Sequence, residues 1–148
     1  MPPPPPPRYE KRLIVLYFDL DGTPDAIETA ISYLQTQIQP TDLVAIMSGP
    51  GDARAVQDFT ADHAKVTREI RSLTFRGVKA PAIDRSLDGL LNATNMLARL
   101  SGKKMVVYFM PLALSGLVGK EQLQPLIEAG QRANVAFFGI AMPAPQVI

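Results

Sequence analysis

Cysteine is absent from this chain, and histidine occurs once, at His63. Without cysteine there is no disulfide, no thiolate metal site and no cysteine nucleophile, and the redox compartment is left open. One histidine with no cysteine beside it argues against a zinc site. His63 falls in a helical stretch with no evident partner for a Ser-His-Asp set, so it reads as a surface or packing residue. Charge of one sign is also lacking. The net charge is +1, which gives no strong field to attract nucleic acid or anionic lipid. Long hydrophobic runs are missing too. The longest, Leu13 to Phe18 and Met105 to Leu114, fall well short of the roughly 20 residues that cross a bilayer. The chain opens on prolines rather than on a basic stretch followed by an apolar one, so no secretory signal is read. A complete product is therefore expected in the cytoplasm; for a fragment the location is open.

What is present suits one globular domain. A chain of 148 residues is long enough to bury a core without staples. Pro2 to Pro7 form an unbroken proline run, which adopts an extended helix without internal hydrogen bonds and cannot join a core. Residues 1–11 read as a disordered proline-rich tail or linker; a ligand for a proline-binding groove is the functional alternative. Residues 12–141 read as the domain, and 142–148 as an irregular tail.

Strand and helix patterns alternate along the domain. Leu13 to Phe18 is a continuous apolar run, as in a strand buried on both faces. Asp25 to Ile38 carries Ile27, Ala30, Ile31, Leu34 and Ile38 on one helical face, with Pro24 suited to its start and Pro40 ending it. Leu43 to Met47 is a second short strand. Ser48-Gly49-Pro50-Gly51-Asp52 is a turn that lacks the Lys-Ser/Thr ending of a phosphate loop. Ala53 to Phe59 is expected as an edge strand hairpinned to the strand before it.

Three more helices are expected, at Asp62 to Leu73, Asp84 to Leu100 and Lys120 to Ala133. Asp84 or Ser86 would cap the middle one, Gly102 would close it, and Lys103 and Lys104 would complement its C-terminus. Pro125 would disturb the start of the last helix. Met96 and Met105 read as core residues. Phe75 to Ile83 is irregular, and Met105 to Met110 and Val135 to Ile140 are strands. Such alternation implies a mostly parallel central sheet with helices on both faces, a three-layer Rossmann-like α/β fold. In such sheets ligands sit beyond the carboxyl ends of the strands, and the first, central strand ends at Asp19.

The loop there is Asp19-Leu20-Asp21-Gly22-Thr23. Two carboxylates and a hydroxyl at alternate positions form a hard oxygen cluster suited to Mg²⁺. Gly22 permits the sharp turn that gathers them. The alternative is helix capping, with Thr23 or Asp21 at the positive end of the helix that follows.

Asp-x-Asp-Gly-Thr after a hydrophobic strand resembles the first motif of haloacid dehalogenase-like phosphatases. That resemblance implies Asp19 as nucleophile and Asp21 as general acid/base with Mg²⁺, and Ser48 could supply the hydroxyl that follows a second strand. The late acidic pair is missing, since the strands at Met105 to Met110 and Val135 to Ile140 run into Pro111-Leu112 and Ala141-Met142.

From about Arg12 to Ile140 the chain resembles a von Willebrand factor A-type domain, of a bacterial branch. The resemblance is carried by Arg12 to Asp19, Pro40 to Met47, Val56 to Asp62, Gly102 to Phe109 and Arg132 to Ile140, in that order and spacing. It implies a non-enzymatic adhesion or binding module with a protein partner. It also implies a divalent cation, Mg²⁺ or another, held at the turn the family writes Asp-x-Ser-x-Ser. Asp19 matches the aspartate there, and Asp21 and Thr23 replace the serines. The family's threonine is missing at Ala82-Ile83-Asp84, and its later aspartate is replaced by Met110-Pro111. The implied adhesion site is degenerate, with Asp84 and Ser48 as further candidate ligands. The family continues beyond the fifth strand, so the chain is expected to be truncated there, leaving a sheet edge open to self-association.

Overall fold

A computed structural model describes residues 11–78, 83–111 and 120–142. The proline-rich stretch before Lys11 and residues 143–148 of the expected tail lie outside them, as does Ala82.

Along the chain run β1 (Leu13–Asp19), α1 (Asp25–Thr36), β2 (Leu43–Gly49), β3 (Arg54–Thr60), α2 (His63–Arg71), α3 (Ile83–Leu97), β4 (Lys104–Pro111), α4 (Lys120–Ala133) and β5 (Val135–Met142). The strands form one five-stranded sheet in the order β3-β2-β1-β4-β5. β1 is central and pairs in parallel with β2 and β4, while β4 pairs in parallel with β5. Among the described residues only β3 is antiparallel, hairpinned to β2 across the glycine-rich turn.

The period of two along β1 divides the core. Ile14, Leu16 and Phe18 face one side with Val44, Ile46, Val107 and Phe109, where they meet α1 and α2. Val15 and Tyr17 face the other with Ala45, Met47 and Val106, where they meet Leu90, Ala93 and Leu97 of α3 and Leu126 and Ala133 of α4. Alternate side chains of a strand point to opposite faces. The parity of β1 therefore assigns Asp19 to the α3 side.

Several boundaries differ from those read in the sequence. α1 stops at Thr36 rather than Ile38, although Ile38 is still buried. α2 spans His63–Arg71 because the Asp62 carboxylate accepts from Lys65 N at 3.1 Å and so caps it. α3 ends at Leu97, leaving Leu100 exposed, and Met96 is exposed rather than in the core. The expected complement to the end of α3 is Lys104, whose ammonium donates to Leu100 O. Lys104 is buried, and that burial pulls its pKa down.

A second polar knot ties the amino ends of the strands. Arg12 Nε donates to Asp42 Oδ1 at 2.8 Å, and Gln39 N donates to Asp42 Oδ2 at 2.7 Å. His63 Nε2 lies 2.8 Å from Asp42 O, so the lone histidine joins α2 to β2 as a packing residue.

Candidate functional site

The acidic loop sits at the carboxyl end of β1, and both of its aspartates are buried, at 4% and 5% exposure. As its parity requires, Asp19 points toward α3. The Ser86 hydroxyl, in the first turn of that helix, donates to Asp19 Oδ2 at 2.5 Å. Asp21 N donates to Asp19 Oδ1 at 3.0 Å. The carboxylate is thus spanned on both oxygens, at a helix end whose dipole favours negative charge.

Asp21 lies between α3 and the stretch after α2 and meets a cation from each. Arg76 forms an ion pair with Asp21 Oδ1, without the alignment of a directed hydrogen bond, and Arg85 Nη1 lies 3.9 Å from Oδ2. Both guanidinium side chains remain more than half exposed, at 55% and 56%, above a carboxylate that is 6% exposed. A buried carboxylate demands such partners, because an unpaired charge out of water is costly.

Backbone hydrogen bonds fix this arrangement. Arg76 N, Gly77 N and Val78 N donate to Leu20 O, Gly22 O and Asp21 O at 2.7, 3.0 and 2.8 Å. The stretch after α2 is thereby clipped along the acidic loop. Gly77 takes a φ of +60° in the clip, a conformation that suits glycine. On the opposite side Gly51 N donates to Arg85 O, and Asn92 Nδ2 donates to Gly51 O, each at 2.9 Å. These bonds tie the turn after β2 to α3.

The residues singled out in the sequence separate into two groups. Asp19 and Asp21 come together. Thr23 is half-buried, and its carbonyl accepts from Ala26 N at 3.3 Å. Ser48 is buried in β2, in register with Phe18. Asp84 is exposed and borders a cleft of about 220 Å³ lined by Leu87, Leu91, Pro125 and Leu126, between α3 and α4. The capping alternative for the acidic loop is overturned. Pro24 occupies the N-cap of α1, and no side chain caps that helix. Asp21 is drawn instead to the two arginines, and Ser86 to Asp19.

Arg76, Arg85 and Ser86 were not legible as parts of one site. Ser86 was visible only as a helix-start residue, and Arg76 lay in a stretch without periodicity.

The oxygens present suit a divalent cation poorly in this arrangement. Both oxygens of Asp19 accept hydrogen bonds, and both of Asp21 face guanidinium groups. Among the described residues no group of three or more acidic or histidine side chains is placed to hold a metal ion.

A central β1, an antiparallel β3 on the outer side of β2 and helices on both faces make the fold von Willebrand factor A-like. BatB from Bacteroides thetaiotaomicron, described as a conserved hypothetical protein, has a similar structure. It is 16% identical, over 88% of this chain and 66% of that one, with a TM-score of 0.58. An aerotolerance-related membrane protein from Bacteroides fragilis is 14% identical over 88% of this chain and 67% of that one, with a TM-score of 0.61. The von Willebrand factor domain of the type V pili tip protein Mfa5 from Porphyromonas gingivalis is 20% identical over 68% of this chain and 37% of that one, with a TM-score of 0.48. No family model and no curated protein matches the sequence. At these identities the likeness is one of fold, and this chain spans about two thirds of the length of the first two structures. No helix of the described residues is long and apolar enough to cross a membrane.

Proposed function

We propose that this chain is a non-enzymatic protein-binding module of the von Willebrand A type that engages its partner at the carboxyl edge of the sheet. The observation that carries the reading is the buried Asp19–Ser86 and Asp21 cluster with two arginines half-exposed above it. Charged groups this deep at a strand end cost stability. Their place is where parallel sheets present ligand sites.

A divalent cation at Asp19, Asp21 and Thr23, with Ser48 and Asp84 as further candidates, would compete with Arg76 and Arg85 for Asp21. Cation binding is therefore weak at most, and partner capture is not routed through it. A phosphatase using Asp19 and Asp21 is unsupported, since both carboxylates are engaged by groups of the chain itself.

The test is a selection of phage-displayed random peptides on the whole chain, run in parallel with Mg²⁺ and with EDTA, followed by amide NMR mapping of the selected peptides. Shifts are expected at Leu20 to Thr23, Gly51 and Asp52, Arg76 to Val78 and the first turn of α3, with both ion conditions equivalent. Shifts confined to the opposite end, around Arg12, Asp42 and His63, would overturn the placement. A strict requirement for Mg²⁺, lost in Asp19→Ala, would restore the metal-routed mechanism.

A further inference from the structure

A cation already sits against the acidic loop, supplied by the chain. Arg76 is carried by the backbone clip to Leu20, Asp21 and Gly22, so its guanidinium is positioned before any partner arrives. Arg85 is positioned independently. Its own carbonyl holds Gly51 N, and its guanidinium lies over Gly51, where a Cβ would come within 3.7 Å of Nη2 and 3.9 Å of Nε. Each guanidinium offers five N–H donors in a planar fork that matches a carboxylate. Arg76 turns Nη2 toward Asp21 and Arg85 turns Nη1. Among the described residues no other acidic side chain is paired with either. The carboxylates of Asp19 and Asp21 are buried and the two guanidinium groups face outward, so directly over the cluster the outermost groups are cationic.

We propose that Arg76 and Arg85 act as a built-in cation that grips an acidic side chain of a partner protein directly, without a metal ion. The inference rests on the binding-module reading of the same edge and adds the chemistry of the ligand. Asp21 has two parts in it. It holds the two forks side by side, and it competes with the incoming carboxylate for them. Preorganisation by the clip reduces the ordering cost of closing on the ligand. Bidentate, charge-assisted bonds supply the selectivity for a planar anion.

The test is a titration of the full ¹⁵N-labelled chain with hexaglutamate in EDTA, following the arginine Nε–Hε signals, with hexaglutamine as the uncharged control. The signals of Arg76 and Arg85 are expected to shift and saturate. Those of Arg12 and Arg71, already paired with Asp42 and Glu28, should stay in place. Affinity should fall roughly tenfold in Arg76→Ala and in Arg85→Ala, rise in Asp21→Asn, and weaken with salt. Because Arg85 is largely exposed, Arg85→Ala keeps the test valid if Arg76→Ala unsettles the loop. Absence of a shift at millimolar peptide, wild-type affinity in both alanine variants, a need for Mg²⁺, or tighter binding of inorganic phosphate would each overturn the proposal. If hexaglutamate fails while selected peptides still map to this edge, the arginine inference falls and the binding-module reading stands.

Discussion

Tyr17 illustrates how one side chain on β1 constrains two distant glycines. Its ring is buried on the α3 side of the sheet, and among the described residues its hydroxyl has no hydrogen-bond partner. Burial, and secondarily the charge of Asp19, push its pKa up, so the phenol stays neutral. The hydroxyl fills the space where Gly49 and Gly89 lack a Cβ, and a Cβ at either would overlap it. At Gly89 every other neighbour is 3.4 Å or more from that Cβ, whereas at Gly49 the ring carbon Cζ is also close, at 2.9 Å. Gly89→Ala alone is expected to destabilise the fold by about 1–3 kcal/mol through overpacking. Tyr17→Phe should cost nothing or stabilise slightly, because it removes an unsatisfied buried hydroxyl. Combined with Tyr17→Phe, Gly89→Ala should become favourable by about 1 kcal/mol, since alanine is the better helix former. Denaturant unfolding of the four proteins gives the coupling, and additive effects would count against the steric account. Asp19 was legible at this scale, because its chemistry and its parity can both be read from the strand. Arg76 was not, since nothing local in the stretch after α2 says which loop its backbone will clip.

Elements are held together at the far end of the sheet by Asp42. Its carboxylate is buried, which opposes its charge. The hydrogen bonds from Arg12 and Gln39 N, with the nearby Arg12 and His63, overcome that and hold its pKa below the ordinary aspartate value. One residue thereby joins the start of β1 to the start of β2 and the end of α1. Because the folded pKa is depressed, the stabilisation is complete above the unfolded value of about 4 and is lost as pH falls through the lower folded value. Asp42→Asn should cost about 1–2 kcal/mol at neutral pH, a modest figure because Arg12 is nearly half exposed. The gap to wild type should close in acid. Denaturation midpoints from neutral pH down to about pH 2 test this, and a gap that persists to the lowest pH would refute the role of the charge. The elements were legible because apolar spacing of two and of three to four residues persists through most of them. The misplaced ends have local causes. α2 begins one residue late because Asp62 caps it from outside. α3 stops short because Leu100 continues the helical spacing without reaching the core.

For the whole molecule, the sheet order leaves β3 and β5 as the outer strands among the described residues. The two differ in what they present. β3 is short of large apolar side chains and carries Arg54 and Asp58, the kind of charge that keeps an edge from pairing with another chain. β5 is VAFFGIAM, without a charged residue. Phe138 is 53% exposed there, on the face that also carries Val107 and Phe109 of the sheet. An uncharged strand with an exposed aromatic side chain is a template for pairing with a second strand. Reversible self-association through β5 is the expected consequence. It should appear in light scattering as a mass that rises with protein concentration, and Phe138→Lys should abolish the rise by placing charge on the edge. The carboxylate clamp lies at the strand ends rather than along this edge, so hexaglutamate binding in Phe138→Lys should match wild type. A constant monomer mass across the concentration range would show that β5 does not serve as an interface. Loss of peptide binding along with association would instead mean that the two surfaces are coupled.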